Sequence, residues 1–282
     1  KALAEAGPFE ELNALDGEGF SAIVKKYNID TIFNLVALLS ATGEKNPKLA
    51  WDINIGALTN SLYIAKDNNC AVFTPSSIGA FGNDTPKDKT PQDTLQRSNT
   101  TIYGVCKVTG ELLSDYYFNR FGVDTRSVRF PGLISYVTLP GGGTTDYAVE
   151  IYYDAIRKGS FTCNVKEGTY MDMMYMPDAL NAVVQLMEAD PSKLKHRNSF
   201  NIASMSFEPE QIAAEIRKHL PDFKMDYQID PVKQAIANSW PNSMDDTCAR
   251  EEWGWAPKFD LTSMTNDMLI KVKEKFDKGL IK

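Results

Sequence analysis

The stretch Thr31-Ile32-Phe33-Asn34-Leu35-Val36-Ala37-Leu38 decides the fold, because its length and its apolar, partly β-branched content predict a buried strand. Similar runs predict three more strands, over residues 70–75, 125–130 and 199–202. Helical patterns separate these runs, with an apolar stripe at i, i+3, i+4 spacing over residues 50–65 and a second pattern over 101–121. The alternation predicts an α/β fold, a doubly wound parallel sheet with helices on both faces.

The pattern loosens after residue 135, and the second half is predicted as a smaller, mostly helical lobe over the carboxyl edge of the sheet. Gly141, Gly142 and Gly143 predict a flexible turn. Three helices are predicted, over residues 178–187, over residues 208–220 and after Asp260. We therefore assign residues 1–135 to the sheet domain and residues 136–282 mainly to the second lobe, with a return to the sheet near residues 199–204.

Composition excludes several classes of protein. The formal net charge of −7 and the lack of a Lys/Arg cluster argue against a nucleic-acid partner. No apolar run approaches the roughly 18 residues that span a bilayer, and no N-terminal segment predicts a signal peptide. With two histidines and no C-x-x-C pair among four cysteines, we expect no zinc or other metal site and a reducing compartment.

Tyr103 and Lys107 stand four residues apart on the predicted helix, so their side chains share one face. A lysine ammonium beside a phenol favours the phenolate, which can take a proton from a substrate hydroxyl. The same spacing also arises by chance in a chain with twelve tyrosines. The spacing alone therefore does not predict a catalytic pair, and the prediction depends on the neighbouring residues.

Three neighbouring features favour a catalytic site. Ser77 follows a predicted strand, and ligands of doubly wound sheets lie beyond the carboxyl ends of strands. Asn54 lies on the inward stripe of its helix, where its amide could hold backbone groups or a water that relays protons from Lys107. Residues 128–134 end a strand at Pro131 and Gly132. Each feature alone also has a structural explanation: a turn, a core amide and a plain strand end.

These residues resemble the extended short-chain dehydrogenase/reductase family, and within it the L-threonine 3-dehydrogenase branch. Three stretches are shared with many extended members: residues 37–41, 75–82 and 101–107. Three others are more particular to the threonine-oxidising branch: residues 140–148 with their Gly-Gly-Gly-Thr-Thr-Asp run, residues 173–178, and residues 237–241 with Ser239-Trp240-Pro241. The resemblance implies a Rossmann-type fold and a cofactor, NAD, bound by residues 1–135.

The resemblance also implies a role for individual residues. Tyr103 is the general base, Lys107 keeps it in the phenolate form and binds the nicotinamide ribose, and Ser77 positions the substrate hydroxyl. The further implied cofactor contacts are Leu15 and Asp16 near adenine, Val36, Ala37 and Leu38 at a strand end, Asn54 at the nicotinamide end, and Phe130 on the nicotinamide ring. The further implied substrate contacts are Ser40, Thr101, Thr144, Thr145 and Trp240.

One departure from the family pattern is large. The family opens with a strand and a Gly-rich turn that cradles the pyrophosphate at a helix N-terminus. No G-x-x-G-x-x-G occurs in this sequence. We therefore expect that the sequence lacks the first βαβ unit, that residues 9–15 form the next strand, and that the chain alone binds the dinucleotide weakly.

The resemblance implies oxidation of L-threonine with NAD, and two alternatives remain open. A nucleotide-sugar epimerase or dehydratase would use the same fold with a larger substrate, although the acidic balance counts against it. A non-catalytic dinucleotide-binding sensor would suit the absent Gly-rich turn. By analogy with the family we also expect a homodimer formed through the tyrosine helix, with Leu112, Leu113 and Tyr116 as contacts. The bacterial cytoplasm and the mitochondrion both remain open as compartments.

Overall fold

The computed structural model describes residues 7–94, 98, 100–141 and 143–281. Gly142, the middle residue of the predicted triple-glycine turn, lies outside this set. The first half contains, in chain order, α1 (Gly17–Lys26), β1 (Thr31–Phe33), α2 (Ser40–Gly43), α3 (Pro47–Asn68), β2 (Ala71–Phe73), β3 (Ser76–Ser77), α4 (Ile102–Phe121), β4 (Thr125–Arg126) and β5 (Val128–Phe130).

The second half contains both helices and strands. In chain order these are β6 (Gly132–Ile134), α5 (Tyr147–Lys158), β7 (Ser160–Cys163), β8 (Met171–Tyr175), α6 (Met176–Glu188), β9 (Phe200–Asn201), β10 (Met205–Phe207), α7 (Pro209–Arg217), β11 (Lys224–Tyr227), α8 (Pro231–Ser239), α9 (Thr247–Trp253) and α10 (Leu261–Asp277).

Six of the described strands form two three-stranded parallel sheets, in the orders β1-β2-β4 and β3-β5-β9, and their parallel pairing is as the alternating pattern predicts. Strand β2 pairs with β1 on one side and with β4 on the other. After short interruptions the chain continues as β3 and β5, which also pair in parallel, and β5 then pairs with β9. The chain therefore returns to the sheet at Phe200–Asn201, where a strand was expected.

The first predicted strand is shorter than expected, because the chain leaves the sheet after Phe33. The Asn34 amide donates to the Phe73 carbonyl at 2.9 Å, and beyond this bond the backbone turns away. Leu35 and Leu39 are then exposed. The prediction of a strand over residues 9–15 is wrong: none of the described strands pairs with this segment, so its backbone has no ladder to join.

Caps explain where the two helices beneath the site begin and end. Asn46 caps α3 by accepting the Leu49 amide at 3.1 Å, and the helix ends at Asn69, which adopts a left-handed conformation. Thr101 caps α4 by accepting the Gly104 amide at 3.0 Å, and Gly122 ends it with φ of 72°. Both helices pack together against the sheet.

The second half adds two small sheets that the sequence pattern did not predict. In one of them β8 pairs in parallel with β6 and antiparallel with β10, and in the other β7 pairs with β11. Helix α5 packs its buried aromatic face, including Tyr147 and Tyr152, into the core of this half. Among the helices described here, none is long and apolar enough to cross a membrane.

Candidate active site

Tyr103 and Lys107 lie in the first turns of α4, directly below the end of β3. Lys107 Nζ donates to the Pro75 carbonyl oxygen and lies 5.3 Å from the centre of the Tyr103 ring. The lysine is thereby fixed between the strand end and the phenol. The two side chains share one face of the helix, as their spacing predicts.

Gly104 lets the start of α4 approach the turn after β3. A Cβ added at Gly104 would lie 2.4 Å from the Gly79 carbonyl oxygen and 1.9 Å from Ser98 Oγ, closer than real Cβ contacts. Backbone therefore packs directly on backbone at this point. This contact sets how near Tyr103 can come to the strand end.

Ser77 lies across from Tyr103 at the end of β3. Its Oγ accepts the Gly79 amide at 3.1 Å, which orders the turn at residues 78–80. A Cβ on Gly79 would touch both Ser77 Oγ and the Tyr103 ring at 3.4 Å. The serine hydroxyl and the phenol ring thus flank one glycine.

A cleft of about 630 Å³ opens above these side chains, between the carboxyl ends of the strands and the second half of the chain. Its walls are mostly apolar, with contributions from Phe33, Leu133 and Leu180. The predicted site residues that line it are Ala37, Ser40, Ser77, Tyr103, Lys107, Phe130, Thr144, Thr145 and Trp240. The fold thus brings together residues that are far apart in sequence.

Asn54 lies below the cleft and holds a strand-end loop. Its Oδ1 accepts the Leu38 amide at 2.7 Å, and its Nδ2 donates to the Leu38 carbonyl at 3.2 Å. Both polar groups of the amide therefore bind backbone, one of the two alternatives that the sequence left open. Val36 and Asn54 line a small cavity of about 30 Å³ that shares Lys107 with the main cleft.

Three other predicted residues lie away from the cleft wall. Thr101 is buried and its hydroxyl oxygen caps α4. Asp16 caps α1 by accepting the Gly19 amide at 3.0 Å. Leu15 packs beside Gly56 of α3, because a Cβ added at Gly56 would lie 2.8 Å from the Cδ2 atom of Leu15. Their implied contacts with substrate or adenine stay predictions.

Two polar groups at the cleft go beyond what the sequence predicted: Asp146 had no assigned role, and the surroundings of the Thr144 hydroxyl were unknown. Asp146 lines the cleft, and its carboxylate accepts the Gly143 amide at 2.5 Å. Its place directly after the Thr144-Thr145 pair was the available signal. Thr144 Oγ1 is buried without a hydrogen-bond partner among the described atoms. A buried hydroxyl normally has a partner, so this atom is suited to a ligand.

The cysteine nearest the pair does not offer a nucleophile. Cys106 is buried beside Asn54, and burial raises the pKa of its thiol. Elsewhere, His196, Cys248 and Glu252 come close enough to hold a metal ion. A hydrogen bond joins two of the three residues, because the Glu252 carboxylate accepts from the His196 ring, and it also accepts the Lys195 amide at 2.6 Å.

The donor set fits a nicotinamide dinucleotide. Lys107 and Tyr103 offer groups for ribose hydroxyls beside an apolar wall that includes Phe130, on which a flat ring can pack. The Asn54 clamp fixes the loop after β1, at the carboxyl edge where doubly wound sheets bind such cofactors. These residues would hold the nicotinamide half.

Comparison with known proteins places the chain in a family. A model of the NAD dependent epimerase/dehydratase family matches residues 1–203. An uncharacterized epimerase/dehydratase of Staphylococcus haemolyticus (strain JCSC1435) is 60% identical over 269 residues, which cover 95% of this chain and 84% of that protein.

Two solved structures are also similar. The X-ray structure of L-threonine dehydrogenase from Clostridium difficile is 58% identical with a TM-score of 0.95, covering 97% of this chain and 85% of that chain. The holo form of the GalE-like L-threonine dehydrogenase from Cupriavidus necator is 48% identical with a TM-score of 0.91, covering 93% of this chain and 85% of that chain. These similarities confirm the Rossmann-type fold and the family resemblance. The chain belongs to the NAD dependent epimerase/dehydratase family.

Proposed function

We propose that the protein oxidises the β-hydroxyl of L-threonine with NAD, giving 2-amino-3-oxobutyrate and NADH. The observation that carries this proposal is the meeting of Ser77, Tyr103 and Lys107 at one wall of the cleft. The similarity to proteins described as L-threonine dehydrogenases supports the substrate. The acidic chain lacks the basic lobe that a nucleotide diphosphate sugar would favour.

The side chains divide the proton chemistry among them. The Tyr103 phenolate takes the proton of the β-hydroxyl, while Ser77 hydrogen-bonds the same oxygen. The Lys107 ammonium, held by the Pro75 carbonyl, stabilises the phenolate charge. Bound nicotinamide supplies the acceptor for the hydride that leaves the β-carbon. One proton and one hydride therefore leave the substrate, as a two-electron oxidation requires.

The far wall of the cleft offers groups that suit an amino acid. The Asp146 carboxylate attracts the substrate ammonium, and the buried Thr144 hydroxyl can bond the carboxylate. Trp240 closes the wall with an apolar surface. In this arrangement residues 1–135 bind NAD and residues 136–282 mainly bind the substrate.

The proposal includes a homodimer formed through α3 and α4. Tyr63, Leu112 and Tyr116 on these helices are more than half exposed, which gives an apolar surface of the kind that subunits bury. Leu113 instead packs inside the subunit against the core below α4.

A substrate panel tests the function. The purified protein is incubated with NAD and either L-threonine, its β-epimer L-allothreonine, or UDP-glucose, and both NADH and sugar products are followed. We expect NADH with L-threonine and no change to the sugar. Epimerised or dehydrated sugar without threonine oxidation would favour the nucleotide-sugar alternative. Binding of NAD without turnover of any substrate would favour a sensor.

A further inference from the structure

Glu111 is a buried charge that the proposed chemistry does not use. It continues the stripe of Tyr103 and Lys107 along α4 and is only 5% exposed. Burying a carboxylate destabilises the fold unless partners compensate its charge. Its contacts therefore show what the residue holds in place.

The Glu111 carboxylate ties together two neighbouring strands. It accepts a hydrogen bond from Ser76 Oγ on β3, and it accepts from Arg129 Nε and Nη2 on β5 at 3.1 and 2.9 Å. Ser76 and Arg129 are register partners in the sheet. One carboxylate of the tyrosine helix thus clamps two strands at the same level.

The residues that follow the clamped pair along each strand line the cleft. Ser77 and Phe130 directly follow the clamped residues, are register partners themselves, and both line the cleft. Side chains alternate along a strand, so the clamped side chains of Ser76 and Arg129 point toward α4, and Ser76 also borders the cleft. The clamp therefore acts on the residues directly next to Ser77 and Phe130 in the chain.

The guanidinium is held on its other side as well. Arg129 Nη1 donates to the Gln92 carbonyl at 2.9 Å and to Asn201 Oδ1 at 3.0 Å. Gln92, Arg129 and Asn201 are all buried. Because both ends of the guanidinium are bonded, the Glu111 carboxylate has little freedom to move.

We propose that Glu111 is a positioning residue, which holds Ser77 opposite Tyr103 through its bond to Ser76 while the Arg129 ion pair fixes the carboxylate. Its effect on turnover rests on the proposed threonine oxidation. A displacement of about 1 Å at such a site can cost on the order of 100-fold in rate. Loss of the clamp should therefore lower kcat more than it raises KM.

Ser76→Ala is the main test, because it removes only the hydrogen bond to Glu111. Glu111→Gln is a second variant, but it also removes the counter-charge of Arg129 and endangers folding, so Ser76→Ala decides the inference. Ser61→Ala is the matched control, because Ser61 is also buried and hydrogen-bonded, to the Ala57 carbonyl on α3.

Two readouts separate positioning from simple stability. With ordinary L-threonine, Ser76→Ala should lower kcat at least ~10-fold and leave KM within ~2-fold. The isotope effect on kcat, measured by comparing ordinary L-threonine with L-threonine deuterated at the β-carbon, should rise because hydride transfer becomes rate-limiting. Amide hydrogen exchange in residues 76–81 should also rise at least ~5-fold in this variant and not in Ser61→Ala.

The two proposals fail in different ways. Unchanged exchange in residues 76–81 overturns the clamp whatever the activity. Raised exchange with an unchanged kcat in an active enzyme overturns its catalytic consequence. A wild-type protein that does not oxidise threonine refutes the proposed function, while the exchange experiment still decides whether Glu111 holds the strand end.

Discussion

Gly104 is the residue at which the geometry of the site is most sensitive to a single methyl group. We expect Gly104→Ala to destabilise the fold by about 1–3 kcal/mol, because its Cβ would meet the Gly79 carbonyl oxygen. It should also lower kcat by at least ~10-fold, since the helix start carrying Tyr103 must shift. Denaturant unfolding and steady-state kinetics measure the two effects.

Gly110→Ala on the same helix is the control. A Cβ there would meet only Leu58 Cδ2, at 3.2 Å, and the end of a flexible leucine side chain can move. Alanine also favours a helix interior over glycine by about 1 kcal/mol. If both variants behaved alike, the close approach at Gly104 would not control the site.

Asp146 gives a second prediction at this scale. Asp146→Asn should raise KM for L-threonine by ~10-fold or more, because the ammonium loses its charged partner. NAD affinity, measured by quenching of protein fluorescence, should stay the same. An unchanged KM would mean that Asp146 does not bind the substrate ammonium.

Local spacing made some of the site residues predictable and left others hidden. Tyr103 and Lys107 share a face because they are one helical turn apart, and Ser77 follows a strand. The joint contact of Glu111 with Ser76 and Arg129 could not be predicted in the same way, since it depends on the register of β3 and β5. Such a register is a product of the folded sheet.

Helix α4 carries the prediction for assembly. Leu112→Lys should convert the expected dimer to a monomer, because it places a charge in an apolar contact. Val232→Lys on α8 is a matched control, as Leu112 and Val232 are 63% and 62% exposed. Light scattering after gel filtration gives the mass. A monomeric wild type, or a Leu112→Lys protein of unchanged mass, would contradict the interface.

Elements were predictable where periodicity was strong. Helices α3 and α4 lie where the pattern placed them, and so do the shorter strands β1, β2, β4, β5 and β9, whereas β3 begins after the strand predicted over residues 70–75. Strand β8 was missed because all five of its residues are buried, including Asp172, so it shows no alternation. The strand expected over residues 9–15 followed from the family pattern, and this segment pairs with none of the described strands.

Asp172 links one buried group to the stability of the whole molecule. Burial raises its pKa to about 8, and one of its oxygens has no hydrogen-bond partner among the described atoms. The folded state therefore holds this proton more tightly than the unfolded chain, whose aspartates titrate near 4. Its contribution to stability falls as the pH rises from about 4 to about 8, by up to about 1.4 kcal/mol per pH unit.

Asp172→Asn removes this titration and keeps an acceptor for the Met244 amide. We expect the variant to gain stability over wild type as the pH rises from 5 to 8, measured as the difference in melting temperature. The difference cancels the titration of groups that do not interact with Asp172. A difference independent of pH would show that Asp172 is not held in its neutral form.

Threonine-dependent NADH formation by Tyr103→Phe, measured beside wild type, tests most directly whether Tyr103 is the base in threonine oxidation. We predict that wild type forms NADH, and that the variant loses at least ~1,000-fold in kcat while keeping its melting temperature and its NAD affinity. Phenylalanine preserves the ring and removes only the oxygen that takes the proton. Retained activity in a folded Tyr103→Phe protein would contradict the assignment of Tyr103 as the base.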